Sequence, residues 1–206
     1  MSDPVVSPAI QRPATRSLRG QSLVEFALVL PMLLVLLLGV ADFGRVFAAG
    51  IIVEASARNA AEAAAQEYLQ LRRNSAPPTS ADYDRIRDIA FATVCDEAER
   101  LPDRTGAGAA CVSPAVGMCI HDDPAELPGY GGCGATTASA DGACTALSGW
   151  DPGKPTGRLP YVEVRVCYQF RPLFTALGNL ELPLASGINL GSIWLQKDRS
   201  FSVADY

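Results

Sequence analysis

Sixteen consecutive residues, Phe26–Ala41, carry no charge and are almost wholly aliphatic. A run of this kind has few places in a folded chain. A membrane-spanning helix takes about 20 apolar residues, with a usual range near 17–25. Leu23 and Val24 on one side and Phe43 on the other bring the segment to that length, with Glu25 and Asp42 near its ends. There a charge sits close to the interface, where it costs less than at the bilayer centre. Pro31 falls in the first turns and removes one backbone donor, which membrane helices tolerate. Arg12, Arg16 and Arg19 flank the run on its N-terminal side and predict that this end is cytoplasmic. Arg45 and Arg58 beyond the run weaken the bias, but Asp42 and Glu54 stand close to them.

The stretch entering the run is Arg19-Gly20-Gln21-Ser22-Leu23-Val24-Glu25-Phe26. A basic leader ends in Gly, four residues follow, then one carboxylate, then the apolar helix. This order resembles a type IV pilin-type signal. The longer run Gly20–Pro31, with Gly39 and Asp42-Phe43-Gly44-Arg45 behind it, resembles the TadE-like pseudopilins of the Tad (Flp) pilus machinery over about residues 19–65. The resemblance implies that a prepilin peptidase cuts after Gly20, making Gln21 the first mature residue and Glu25 the fifth. It further implies that Glu25 pairs with the amino group of Gln21 in a neighbouring subunit and sets the register between helices. The implied partners are the peptidase, other pilins or pseudopilins, the assembly platform with its ATPase, and membrane lipid. On position alone, Glu25 reads equally well as an interfacial acid favoured by the helix dipole.

The formal net charge is −5. Residues 1–20 hold Asp3 against three arginines, so removing this leader takes the remainder to −7. So acidic a chain, whose only lysines are Lys154 and Lys197, lacks the clustered cations that nucleic-acid phosphates require. The leader has three prolines and no apolar period, and is expected to be disordered. Six cysteines, Cys95, Cys111, Cys119, Cys133, Cys144 and Cys167, all follow the apolar run. An even number on the extracytoplasmic side predicts a disulfide framework. Metal-binding thiols are the alternative, but no C-x-x-C pair is present and His121 is the only histidine. Cys111 with Cys119 and Cys133 with Cys144 would close short loops, and Cys95 would then join Cys167, but this is one of fifteen connectivities and the sequence does not choose among them.

Helical patterning continues past the apolar run. Val40, Phe43, Phe47, Ile51 and Ala55 recur at spacings of three and four, and Ala60–Leu71 is rich in helix formers. One helix from about Ser22 to Arg73 is predicted, on the order of 80 Å long, ended by Asn74-Ser75-Ala76-Pro77-Pro78. Gly39, Gly44 and Gly50 would let a second helix approach closely, or are simply tolerated. Thr79 or Ser80 caps a second helix to about Leu101, with Ile86, Ile89, Ala90, Val94, Ala98 and Leu101 as its apolar stripe. Residues 102–158 show no period, and disulfides are expected to order so long a loop. Tyr161–Phe170 alternates as a strand, and Ile193–Val203 is a second candidate. Two strands need a helix to cover one face, and the projecting half of the first helix is the expected cover. The expected fold is α+β and pilin-like: a long N-terminal transmembrane helix (21–73) after the leader (1–20), and a small extracytoplasmic head (74–206). The head holds a second helix, a disulfide-rich loop and a short antiparallel sheet.

His121-Asp122-Asp123 is the one cluster whose residue types suit a metal or catalysis, and it reads more readily as ordinary loop composition. Asp141 and Asp151 match no calcium-loop spacing. Trp150 and Trp194 read as core or rim residues. No nucleophile elbow, P-loop, H-E-x-x-H or dinucleotide motif occurs, and neither an enzyme nor a cofactor site is expected. Three functional readings remain. The first, implied by the resemblance, is a minor pseudopilin in the cytoplasmic membrane. The second is a secreted binding domain cut near Val46-Phe47-Ala48. The third is a plain anchored head without processing.

Overall fold

The computed structural model describes residues 21–74, 76–135, 144, 147, 150–173 and 192–203. Helix α1 runs Gln21–Arg73 and helix α2 runs Ser80–Glu97, followed by a 3₁₀ turn at Ala98–Arg100. Among the described residues four strands follow, β1 (Ala115–His121), β2 (Gly134–Ala135), β3 (Tyr161–Phe170) and β4 (Ile193–Ser202). They form one antiparallel sheet in the order β2-β1-β3-β4. The chain divides into two units, Met1–Val40 and Ala41–Tyr206.

The second unit takes its core from α1 beyond Ala41, from α2 and from one face of the sheet. On α1 the buried residues Ala49, Val53, Ala57, Ala60, Ala64, Tyr68 and Leu71 recur at three and four. Alanine supplies most of this stripe, and a small side chain lets neighbouring elements approach the helix backbone. Tyr83, Ile86, Ala90, Phe91 and Val94 of α2 join the same core, as do Val116, Met118 and Ile120 of β1 and Val162, Val164, Val166, Tyr168 and Phe170 of β3. Burying each of the Val, Ile, Met, Leu and Phe side chains contributes about 1.5–3 kcal/mol relative to exposure. Thr79 caps α2, its N–H and hydroxyl both donating to Asp82 Oδ2 at 2.8 and 2.7 Å.

Two sequence expectations need correction. The loop 102–158 contains β1, whose inward residues Val116, Met118 and Ile120 alternate with Ala115, Gly117 and Cys119; these are small and blur the period. The large apolar residues that continue the α1 pattern point away from the core. Val40, Phe43, Phe47 and Ile51 are exposed, Phe43 at 75%, while Asp42 is buried at 7%. The disulfides pair Cys95 with Cys111, Cys119 with Cys133 and Cys144 with Cys167. Cys119 cannot fold back on Cys111, because residues 115–119 are extended in the sheet with Cys119 opposite Glu163. Cys111 instead follows a 3₁₀ turn, Gly108–Ala110, that packs on α2 and brings it to Cys95.

Candidate functional site

Gly20 and the leader lie outside the described residues. Gln21 is the first residue of α1, and Glu25 stands exposed one turn on. The helix beyond it is long and apolar enough to cross a membrane: its best 18-residue window has a mean hydropathy of 2.7, and none of that window is buried. Leu28, Met32 and Leu37 on this surface are exposed, and among the described residues nothing covers them. Pro31 lies inside the helix without ending it.

Glycine adds a second observation. A methyl group added at Gly39, Gly44 or Gly50 would meet nothing within 4 Å, so packing within the chain does not demand glycine there. At about 100° per residue, Gly39, Val40, Phe43, Gly44, Phe47, Gly50 and Ile51 fall within roughly 140° of the helix circumference. Core residues Asp42, Val46, Ala49 and Val53 lie on the other side. Half of α1 at this level is thus committed to the head, and half presents an apolar, glycine-bearing face.

Asp42 belongs to the committed half. It accepts from Arg45 Nη1 and from the backbone N–H of Leu173, both at 3.0 Å. The Arg45 guanidinium lies 5.2 Å from the centre of the Phe170 ring. Further along, Glu54 is held by Lys197, 3.4 Å away, and by Arg199, both on the β4 face that meets α1. The Arg199 hydrogen bond leads in holding the Glu54 carboxyl below its ordinary value. Apart from Asp42–Arg45, three positions apart, these pairs were not readable from sequence, since each joins residues more than 100 positions apart.

His121 and Asp122 are brought together with other groups, but into a sealed network. Asp122 Oδ2 accepts the Tyr68 hydroxyl at 2.8 Å and faces Arg72 at 3.2 Å, while Lys154 lies 3.7 Å from Oδ1. Burial raises the Tyr68 pKa, and the bond to Asp122 raises it further. His121 stacks on Tyr161, ring centres 4.4 Å apart, and its Nε2 lies 3.2 Å from Glu163 Oε2. Its hydrogen bond, followed by that of Arg165, keeps the Glu163 carboxyl below the usual range despite partial burial. Arg165 in turn stacks over Trp150 at 3.6 Å. Asp122, Glu163, Arg72, Lys154 and Arg165 are each matched by a charged neighbour, which is the chemistry of a clamp, while the buried Tyr83 hydroxyl near Asp122 has no hydrogen-bond partner among the described residues. Among the described residues no group of three or more His, Cys, Asp or Glu is placed to hold a metal. Asp141 lies outside the described residues, and Asp151 accepts the Gly153 N–H at 2.8 Å.

The cysteines tie the head together around this network. Cys144–Cys167 and Leu147 form a small second cluster on the outer face of the sheet, where Trp194 is half-buried. Gly117 makes room for it: a Cβ there would lie 2.2 Å from the Leu147 carbonyl oxygen. Neither a comparison with curated proteins nor one with solved structures finds a match. The family model described as TadE-like protein matches residues 20–62, and over this segment, which opens at Gly20 and carries Glu25 and the apolar helix, the chain is TadE-like.

Proposed function

We propose that the protein is a non-enzymatic minor pseudopilin of a Tad (Flp) pilus machine. A prepilin peptidase removes the leader after Gly20. The mature helix sits in the cytoplasmic membrane, its N-terminus toward the cytoplasm and its disulfide-bonded head outside. From there it packs with the helices of other pilins or pseudopilins on the assembly platform. The observation that carries this reading is the TadE-like segment itself, an exposed apolar helix with a carboxylate five residues after a glycine. Glu25 pairs with the amino group that cleavage creates on a neighbouring Gln21. A carboxylate in hydrocarbon costs roughly 2.5–3.5 kcal/mol on insertion scales, and pairing offsets that cost between subunits. The open faces at Gly39 and Gly50 suit close helix approach.

The secreted-domain reading fits less well. Cutting after Ala48 removes Asp42, which holds the Leu173 N–H, and Val46, which packs on the core. Gly20→Leu tests the proposal: the precursor inserts but stays uncut, whereas mature protein of normal size from this variant refutes processing after Gly20.

A further inference from the structure

The three disulfides join the cysteines strictly in chain order: first to second, third to fourth, fifth to sixth. Loop closure alone does not favour this pattern. Cys111 lies 16 positions from its partner Cys95 but only eight from Cys119. Cys144 lies 23 positions from its partner Cys167 but only 11 from Cys133. Closure costs (3/2)RT ln n, so each of these shorter wrong loops closes about threefold more readily than the native one. A chain whose six thiols were oxidised all at once would collect Cys111–Cys119 and Cys133–Cys144.

Those wrong bridges do not lead to the fold. The register that sets Met118 against Gly134 brings Cys119 opposite Cys133 on one side of β1, and Glu163 lies opposite it on the other. A bridge from Cys119 to Cys111 pulls it out of the sheet. Cys95, Cys111, Cys119, Cys144 and Cys167 are buried, so the closed head shields its bridges from exchange. Each native pair closes one continuous piece of chain. Cys95 and Cys111 hold the Gly108–Ala110 turn on α2, Cys119 and Cys133 extend the β1–β2 pairing, and Cys144 and Cys167 hold the Leu147 cluster on β3.

Order of emergence supplies what loop length does not. If the head crosses the membrane behind α1, Cys95 is out 16 residues before Cys111, which in turn leads Cys119 by eight. At about 5–20 residues per second the first interval is about 1–3 s. Cys95 thus has time to react before its partner arrives, and Cys111 meets it before Cys119 is available.

We propose that the bridges form in the order Cys95–Cys111, Cys119–Cys133, Cys144–Cys167 as the head emerges, by exchange with the disulfide of an extracytoplasmic thiol oxidase and without a disulfide isomerase. The thiolate of the first cysteine of a pair attacks one oxidase sulfur and displaces the other as a thiolate. The thiolate of the second then attacks the chain's sulfur in this mixed disulfide. The bridge forms, the oxidase leaves as a dithiol with the two electrons, and the two protons lost by the chain's thiols go to the oxidase sulfurs. This rests on the head lying outside the cytoplasmic membrane as proposed above.

The test uses the full chain in a bacterial host that lacks its extracytoplasmic disulfide isomerase. Free thiols are trapped with acid and N-ethylmaleimide, and bridges are mapped by mass spectrometry without reduction. The wild type carries its three native bridges at a yield within about twofold of that in the host with the isomerase; a larger fall overturns the proposal. Cys95→Ser shifts every pairing by one. Its Cys111 emerges alone and takes Cys119, Cys133 takes Cys144, and Cys167 is left free. N-ethylmaleimide should label Cys167 about threefold or more above Cys111. A lower ratio overturns the proposal, because the fold rather than the order then chooses the partners. Cys95→Ser combined with Cys111→Ser should keep Cys119–Cys133 and Cys144–Cys167, and loss of these native pairs there overturns it as well. Six labelled thiols in the wild type would refute the extracytoplasmic placement itself, whereas a bridged wild type with labelled Cys111 in Cys95→Ser refutes the order alone.

Discussion

Tyr68 on α1 donates its hydroxyl proton to the buried carboxylate of Asp122, 2.8 Å away, at the end of β1. The bond joins residues 54 positions apart and closes the helix against the sheet, with Arg72 adding its charge from the next turn. A hydrogen bond to a charged group contributes about 1.5–3 kcal/mol. Tyr68→Phe should cost that much in urea unfolding of the head. In a cycle with Asp122→Asn the two effects should be well short of additive. Additive losses would mean the hydroxyl and carboxylate do not act together.

Gly117→Val should lift the segment at Leu147 from the outer face of the sheet, since backbone oxygen occupies the space a Cβ needs. Overpacking of this kind costs about 1–3 kcal/mol. The Cys144–Cys167 bridge beside it should then be reduced by dithiothreitol faster than in the wild type. Peptide mapping without reduction should recover Cys95–Cys111, Cys119–Cys133 and Cys144–Cys167 from exported protein. Loops of 16, 14 and 23 residues imply about 3 kcal/mol from each.

Acid should weaken the head through Glu163. Its carboxyl is held below 4.5, first by the His121 hydrogen bond and then by Arg165. A lowered carboxyl pKa stabilises the fold above the unfolded value and loses that stabilisation as pH falls through the folded value. The melting temperature should therefore fall from near pH 4.5 downward, and Glu163→Gln should flatten that part of the profile. An unchanged profile in the variant would remove Glu163 from the account.

The parts of the fold that were readable in advance share one property: large apolar residues that point inward at a regular period. Val162, Val164, Val166, Tyr168 and Phe170 announce β3 in this way, and Ile86, Ala90 and Val94 announce α2. On α1 the same cue misleads. Its large residues Phe43, Phe47 and Ile51 are exposed, and the core side is alanine, which periodicity weighs lightly. In β1 the outward positions are Ala115, Gly117 and Cys119, small because Leu147 and two disulfides crowd that face. The Tyr68–Asp122 bond, the Glu54 ion pairs and the cysteine connectivity join distant residues through the fold, and no local pattern encodes them. The Gly20–Glu25 segment was readable because its signal lies in consecutive residues.

Glu25→Ala should insert into the membrane at least as well as wild type, since it removes a charge that is costly in hydrocarbon. It should still be cut after Gly20, because cleavage precedes pairing. Pili should be absent or sharply reduced by electron microscopy, and Glu25→Asp should restore them in part. Wild-type piliation in Glu25→Ala would reduce Glu25 to an interfacial acid.

The central claim is that the TadE-like segment is a processed pilin-type helix. N-terminal sequencing of the protein from membranes of its native host tests this most directly. The predicted result is a mature chain beginning at Gln21. A chain beginning at Met1 would contradict processing, and one beginning near Ala49 would make the apolar run a discarded signal sequence.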